Sequence, residues 1–108
     1  MTKTSGSPKR LQALAPKYLD DAFELECRHL LETFLQKHKD YGKGNILEIA
    51  EMGITFRIAE KVSRLKNLLA KNEGPVNESI EDTWTDIAVY AVIAKLFRKG
   101  LFQKLDVK

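Results

Sequence analysis

Three basic residues follow one another at helical spacing in the middle of the chain. Arg57, Lys61 and Arg64 are separated by steps of four and three residues, and on a helix, at about 100° per residue, such steps place side chains on one side. The apolar stripe of the same segment consists of Ile54, Ile58, Val62, Leu65, Leu68 and Leu69. Lys61 falls inside that stripe, where a lysine is unfavourable unless it meets an anion or extends to solvent. The arrangement suits a row of phosphate groups. The alternative is that Lys61 pairs with an acid of a neighbouring helix and the arginines are solvated.

Two acidic residues share a face near the start of the last predicted helix. Asp82 and Asp86 are four residues apart, and their face continues as Val89, Ile93 and Leu96. Like charges at this spacing repel by a few tenths of a kcal/mol, and a cation between them would remove the repulsion. Two carboxylates together with a phosphate are a common Mg²⁺ arrangement. A purely structural origin stays open, because the helix dipole also favours acids near an N-terminus.

The element expected before these residues is an amphipathic helix from Tyr18 to about His38. Its apolar residues recur at steps of three and four, which defines one helix face: they are Leu19, Phe23, Cys27, Leu30 and Phe34. We therefore predict that Cys27 is buried and has a packing role. The alternative is a reactive thiol.

The remaining pattern is helical throughout. A glycine-containing loop is predicted over residues 39–45, and a break with Gly74 and Pro75 over residues 72–75. The predicted helices are a short one at Ile46–Met52 followed by Gly53, a long one from Ile54 to about Lys71, and a last one from Asn77 or Ser79 to about Arg98, before a tail at Leu101–Lys108. Sustained period-two alternation is absent from the sequence. We therefore predict an all-α fold, a small antiparallel bundle of three main helices plus one short helix.

The length of 108 residues suits one domain. We divide it into a flexible basic N-terminal segment, residues 1–17, and a single helical domain, residues 18–108. The longest apolar run, Ile87 to Ala94, is far shorter than the roughly 18 residues of a membrane span. The single cysteine fits a reducing compartment, so we expect a cytoplasmic protein that does not contact membranes.

The basic character of the chain is confined to its first residues. The sequence pI is about 9.0, but four of the 18 basic residues lie within residues 1–17, which leaves 14 against 15 acidic residues. Nucleic acid is thus not expected as a partner, apart from weak contacts of the N-terminal segment. The sequence also lacks a Walker loop, a G-x-G-x-x-G motif and a zinc-ligand pattern.

The predicted bundle leaves apolar residues without an obvious partner. Phe102 and Leu105 lie in the tail, and the last helix is apolar nearly all round from Ile87 to Ala94. Because three helices would not cover all of this surface, we predict a homo-oligomer with a helical interface.

Three motifs in order resemble one known family. They are K-D-Y-G at Lys39–Gly42, G-I-x-x-R-I-x-x-K-V-x-R-L at Gly53–Leu65, and E-D-T-W-T-D-I-A-V-Y-A at Glu81–Ala91. They resemble the nucleotide modification associated domain family, whose members are common in phages and prophages, and that family looks related to the MazG-like all-α nucleoside triphosphate pyrophosphohydrolases. If phage-encoded, the protein would act in the cytoplasm of a bacterial host.

The resemblance implies a set of functional residues. Phosphate would be bound by Arg57, Lys61 and Arg64, and the remaining substrate contacts would come from Lys39, Tyr41 and Tyr90. MazG-like enzymes bind Mg²⁺ with E-x-x-E on one helix and E-x-x-D on its neighbour. This chain departs from that pattern. It offers Asp82 and Asp86 on one helix, and on the other Glu60 alone, or Glu48 and Glu51 far in sequence from the basic residues.

The mechanism implied is Mg²⁺-dependent hydrolysis of a nucleoside triphosphate to monophosphate and pyrophosphate, in phage-type deoxynucleotide metabolism. Glu60, Asp82 and Asp86 would hold the metal and form the catalytic set, and a metal-bound water would attack phosphorus. The alternatives are a non-catalytic helical adaptor module that binds a nucleotide or a protein, and a structural bundle whose charges only fix the helix register.

Overall fold

The computed structural model describes residues 15–71 and 76–108. In this part of the chain four helices and no strand are present: α1 (Leu19–Tyr41), α2 (Gly44–Lys71), α3 (Val76–Arg98) and α4 (Leu101–Lys104). The predicted all-α fold, with three main helices plus a short one, is confirmed. Most of the predicted N-terminal segment, residues 1–14, and the predicted break at 72–75 lie outside the described residues.

The α2 and α3 helices run antiparallel and form the most extensive helix–helix contact. Glu51 near the start of α2 contacts Arg98 at the end of α3, and Lys61 in the middle of α2 contacts Asp86 in the middle of α3. This pairing sets the charged residues of the two helices against one another.

The α1 helix ends at Tyr41, about three residues later than predicted. Gly42 has a φ of +68°, and its backbone N–H donates to the carbonyl oxygen of His38. Glycine is favoured at such a position because a side chain there would be strained. The turn brings the C-terminal part of α1 next to the start of α2.

The short helix predicted at Ile46–Met52 is present as the first part of α2, before a kink, but the break lies at Ala50 instead of Gly53. Ala50 has non-helical angles, φ 57° and ψ −169°, and it joins the two helical parts of α2. A Cβ atom on Gly53 would overlap the Cβ of Ile49, so the kink brings Ile49 too close for any larger residue at this position. Gly53, which the sequence suggested as the helix break, remains helical, and its lack of a side chain permits the close approach of Ile49.

The core lies between the kinked part of α2, the second half of α3 and the short α4. Its buried residues are Ile54, Val89, Ile93 and Phe102, and Leu30 and Phe34 of α1 pack against them. Phe102 is only 5% exposed. Phe102 therefore needs no second chain to cover it, because the α4 turn folds it back into the core of its own chain. The homo-oligomer stays a prediction.

The first half of α1 is not covered by the rest of the chain. No residue of this helix is buried, Leu19 and Phe23 are 85% and 70% exposed, and Cys27 is exposed. The prediction that Cys27 is buried is wrong for the single chain. The face is apolar as predicted, but the described helices reach only its second half.

Within the described residues, no helix combines the length and the apolar character that crossing a membrane requires.

Candidate functional site

A pocket opens between α1, α2 and α3, and we call it the three-helix pocket. Its volume is about 300 Å³. Its charged residues are Lys37, Arg57, Lys61 and Asp86; its aromatic residues are Phe34, His38, Tyr41, Tyr90 and Phe102; and it is completed by Gly42, Asn45, Ile46, Ile49, Val89 and Ile93. Basic and aromatic groups thus face one cavity.

Asp86 is the centre of the charged wall. Its Oδ2 atom lies 3.1 Å from Nζ of Lys61, and its Oδ1 atom lies 3.6 Å from Nζ of Lys37. The side chain of Asp86 is 24% exposed and that of Lys61 34%, so the pair is partly shielded from water. One carboxylate on α3 therefore holds one lysine of α1 and one lysine of α2.

This geometry explains why a lysine occupies the apolar stripe of α2. Lys61 faces α3, like its buried neighbours Ile54 and Leu65, and finds Asp86 there. Pairing with an acid of the neighbouring helix was one of the two alternatives that the sequence left open, and it is present. The pair does not exclude an anion, since the ammonium groups also line the pocket.

Arg57 differs from the two lysines. It also lines the pocket, but no acid among the described residues lies within ion-pair distance of it. A guanidinium group presents donors in a fixed fork that matches phosphate oxygens. Among the described residues, three lysine or arginine side chains and one carboxylate line the pocket, so this lining has an excess of positive charge.

A second part of the pocket lining is aromatic. The rings of Phe34 and His38 are 5.4 Å apart, and His38 meets Phe102 edge-on at 6.4 Å. Tyr90 is half-buried, whereas Tyr41 is 71% exposed at the mouth of the pocket. Such a wall offers apolar and stacking contacts to a planar ligand group.

Lys43 fixes the chain segment that carries Phe102. Its ammonium group donates to the backbone carbonyl oxygens of Leu105 and Gln103, and it lies 3.3 Å from Oδ1 of Asp106. Carbonyl groups at a helix C-terminus favour a nearby cation. Lys43 thus joins the α1–α2 turn to the end of α4, and its Nζ atom lies 6.0 Å from the ring centroid of Phe102, which lines the pocket.

The predicted site residues divide into two groups. Arg57, Lys61, Asp86, Tyr41 and Tyr90 come together in the three-helix pocket. The others do not line it and are exposed: they are Lys39, Glu60, Arg64 and Asp82. Sequence reasoning missed Lys37, His38, Phe34 and Phe102, although Lys37 and His38 continue the apolar face of α1 and could have been placed by that periodicity.

The acids predicted to bind Mg²⁺ do not form a ligand set within one chain. Over residues 15–71 and 76–108, no three His, Cys, Asp or Glu side chains converge closely enough to hold a metal ion. Asp86 is already engaged by two lysines, and Glu60 and Asp82 face solvent. Glu51 contacts Arg98 at 3.1 Å, so it serves as a surface link between α2 and α3. The donor set of Glu60, Asp82 and Asp86 does not fit a resident cation here.

Comparison with known proteins gives a family. No curated protein and no solved structure matches the chain at a significant level. The family described as nucleotide modification associated domain 1 matches residues 37–97, a span that includes every charged residue of the pocket and ends just before Phe102. Since the match covers more than half of the 108 residues, the chain belongs to the nucleotide modification associated domain 1 family.

Proposed function

We propose that this protein binds a nucleotide through its phosphate groups in the three-helix pocket. The observation that carries the proposal is the convergence of Lys37, Arg57 and Lys61, from two helices, on one cavity. Among the described residues that line this cavity, Asp86 is the one carboxylate. Such an excess of positive charge in a partly shielded cavity is stabilised by an anionic ligand.

Asp86 has a positioning role in this proposal. In the free protein it holds Lys37 and Lys61 at 3.6 and 3.1 Å, which limits the freedom that the two side chains would otherwise lose on binding. A phosphate group would then bind between these lysines and Arg57, and the fork of Arg57 would contact two of its oxygens. The acid weakens the attraction for an anion, but it fixes where the anion binds.

The aromatic wall supports a nucleotide over a simple anion. Phe34, Tyr41 and Tyr90 lie on the same cavity as the cations, and they would contact the base while Asn45 offers an amide to its polar edge. A volume of about 300 Å³ is at the lower end for small-ligand pockets. It favours a single nucleotide over an oligonucleotide.

Hydrolysis of a nucleoside triphosphate to monophosphate and pyrophosphate, dependent on Mg²⁺, stays a prediction from the resemblance to MazG-like enzymes. The geometry supports nucleotide binding better than it supports hydrolysis. Asp86, one of the predicted Mg²⁺ ligands, is already paired with two lysines. A non-catalytic module that binds the nucleotide without turnover is the alternative from another functional class. The hydrolase would release pyrophosphate from a nucleoside triphosphate, and the binding module would not.

A thermal-shift screen of the full chain tests the proposal. The panel consists of ribo- and deoxyribonucleoside mono-, di- and triphosphates, the parent nucleosides, and inorganic phosphate, each with Mg²⁺ and with EDTA. Ligands that bind only the folded state raise its apparent stability, so we expect the phosphorylated compounds to raise Tm and the nucleosides to have little effect. An equal shift with phosphorylated and unphosphorylated compounds, or no shift with any of them, would contradict phosphate recognition.

Release of pyrophosphate from the triphosphates separates the two modes. Turnover that disappears in EDTA supports the Mg²⁺-dependent enzyme, whereas a raised Tm without turnover supports the binding module. The deoxyribonucleotides in the panel test whether the ligand belongs to deoxynucleotide metabolism.

A further inference from the structure

The α3 helix has an apolar surface on the side that faces away from the core. The residues of this side recur at steps of three and four along the helix: they are Glu81, Trp84, Ala88, Ala91, Lys95 and Lys99, with Val92 beside them. Trp84 and Val92 are 53% and 48% exposed, whereas Val89 and Ile93 on the other side of the helix are buried. A helix that is apolar nearly all round is normally covered on every side. We call this surface the α3 outer face, and its composition is that of a surface that another chain covers.

Charge is divided between the two ends of the α3 outer face. Glu81 lies at the end nearer the start of α3, Lys95 and Lys99 lie at the other end, and the residues between them on this face are uncharged. No oppositely charged group among the described residues lies within ion-pair distance of these three side chains. Arg98 does not belong to this set, because it contacts Glu51 of its own chain. The outer face therefore presents one acidic and one basic end to a further chain.

We infer that the α3 outer face packs against the α3 outer face of a second copy of this chain, with the two helices antiparallel and crossing between Ala88 and Ala91. Glu81 and Lys99 are five full helical turns apart, so they lie on the same flank of α3, at nearly equal distances from the crossing. An antiparallel pair with two-fold symmetry brings equal flanks together. Glu81 of each copy then lies beside Lys99 of the other, which gives two intermolecular ion pairs.

Trp84 and Lys95 are matched in the same way. They are equally far from the crossing in sequence, on opposite sides of it, so the ammonium group of Lys95 in each copy lies near the indole ring of Trp84 in the other, where the ring face attracts a cation. The small side chains of Ala88 and Ala91 let the two helix axes approach closely at the crossing. A parallel pair would instead set the two acidic ends together and the two basic ends together.

Charge favours a second copy over an unrelated partner, because the α3 outer face is complementary to itself and the pair closes with two-fold symmetry. A partner surface of a single charge sign would meet like charge at one of the two ends. Asp86 and Tyr90, which line the three-helix pocket, lie about 200° around the helix from Trp84 and Ala88. The pair therefore leaves the pocket open in both copies, and the inference does not depend on what the pocket binds.

Light scattering of the full chain at tens to hundreds of micromolar, with matched variants, tests the inference. Ala91→Glu places a charge at the crossing, and Ala59→Glu is the control, because Ala59 is also an exposed helical alanine but lies on α2. Glutamate is a good helix former, so both variants should keep the helical circular dichroism. We expect a dimer for the native chain and for Ala59→Glu, and a monomer for Ala91→Glu. A monomeric native chain, or any other pattern of dissociation by the two variants, would overturn the inference.

Trp84 gives a second readout, because it is the single tryptophan of the chain. Quenching of its fluorescence by acrylamide should fall several-fold as the native protein is concentrated into the dimer, and should stay strong in Ala91→Glu. Protection of Trp84 in a monomeric native chain would mean that another part of the same chain covers the α3 outer face, and would overturn the inference.

The direction of packing has its own test. Lys99→Glu should weaken the dimer about tenfold, because it replaces two ion pairs with two repulsive contacts. Adding Glu81→Lys should restore most of the affinity, since only the antiparallel pair sets these two positions side by side. A double variant that dimerises no better than Lys99→Glu would overturn the antiparallel arrangement.

Discussion

The Nζ atom of Lys61 lies 3.1 Å from Oδ2 of Asp86, while the other carboxylate oxygen, Oδ1, lies 3.6 Å from Nζ of Lys37. One acid thereby connects all three long helices at the edge of a pocket. The same contacts stabilise the packing of the free protein and position the cations of the proposed binding site. Changes at Asp86 should therefore alter stability and ligand affinity in opposite directions.

The first prediction concerns Asp86→Asn, which keeps the size of the side chain and removes its charge. Lys37 and Lys61 would then repel each other and Arg57 without compensation. Because the pair is only partly shielded, we expect a loss of about 1 kcal/mol in the free energy of unfolding, between the values for exposed and for buried pairs. Urea unfolding in EDTA at low salt measures it.

The same variant should bind phosphate-bearing ligands more tightly in EDTA, since a competing negative charge has been removed. Tighter binding combined with lower stability supports Asp86 as a positioning residue. Unchanged or higher stability, together with a loss of Mg²⁺ binding, would instead indicate that Asp86 is a metal ligand.

The second prediction concerns Lys43, which contacts backbone carbonyls and Asp106 at the end of the chain. Lys43→Ala removes these contacts, so residues 101–106 should exchange amide hydrogens faster, and unfolding should require about 1–2 kcal/mol less. The control is Lys104→Ala, which removes an exposed lysine of the same short helix. Equal exchange rates in the two variants would mean that Lys43 does not hold α4.

The third prediction compares two substitutions at the kink of α2. Gly53→Ala would place a Cβ atom against the Cβ of Ile49, so it should destabilise by about 1–3 kcal/mol, as overpacking does. Ala50→Gly should cost little or stabilise, because the φ of 57° at Ala50 is strained for alanine and free for glycine. In a straight helix both changes in stability would have the opposite sign, because alanine stabilises a helix interior by about 1 kcal/mol relative to glycine. The denaturant midpoints of both variants, compared with that of the native protein, distinguish a kinked α2 from a straight helix.

The sequence predicted the helices well where apolar periodicity was regular. The steps of three and four in α1 and α2 placed both helices to within a few residues, and the position of Lys61 in an apolar stripe correctly indicated a charged contact with α3. The kink was misplaced, because the sequence marks a glycine but not its role. Gly53 stays helical and makes room for Ile49, while the backbone break occurs at an alanine, which carries no signal of its own.

The candidate site was predicted only in part, because helical spacing fixes direction but not position along a neighbouring helix. Arg64 faces the same side as Arg57 and Lys61, yet it lies further along α2, beyond the pocket. Asp82 precedes Asp86 by one helical turn, and its side chain is exposed, as that of Arg64 is. Lys37 comes from a third helix, and the spacing of residues on α2 and α3 contains no information about it.

The fourth prediction concerns the two predicted metal ligands that lie outside the pocket. Asp82→Asn and Glu60→Gln alter exposed acids outside the pocket, so each should leave nucleotide affinity in EDTA within about twofold of the native value, as for surface changes of up to about 0.5 kcal/mol. Calorimetric titrations with and without Mg²⁺ measure this. A loss of affinity or of turnover that occurs only with Mg²⁺ would restore these acids as metal ligands and contradict their placement outside the site.

The most direct test of nucleotide binding in the three-helix pocket is a calorimetric comparison of Lys61→Gln with Lys66→Gln. Lys66 is an exposed lysine of the same helix that does not line the pocket, so both variants lose one positive charge and only one loses it at the site. With the nucleotide that gives the largest rise in Tm, we expect Kd to increase tenfold or more for Lys61→Gln, as for the loss of a charge-assisted hydrogen bond of about 1.5–3 kcal/mol. For Lys66→Gln we expect a change of less than twofold. Equal changes in the two variants, with both still folded, would contradict binding in this pocket.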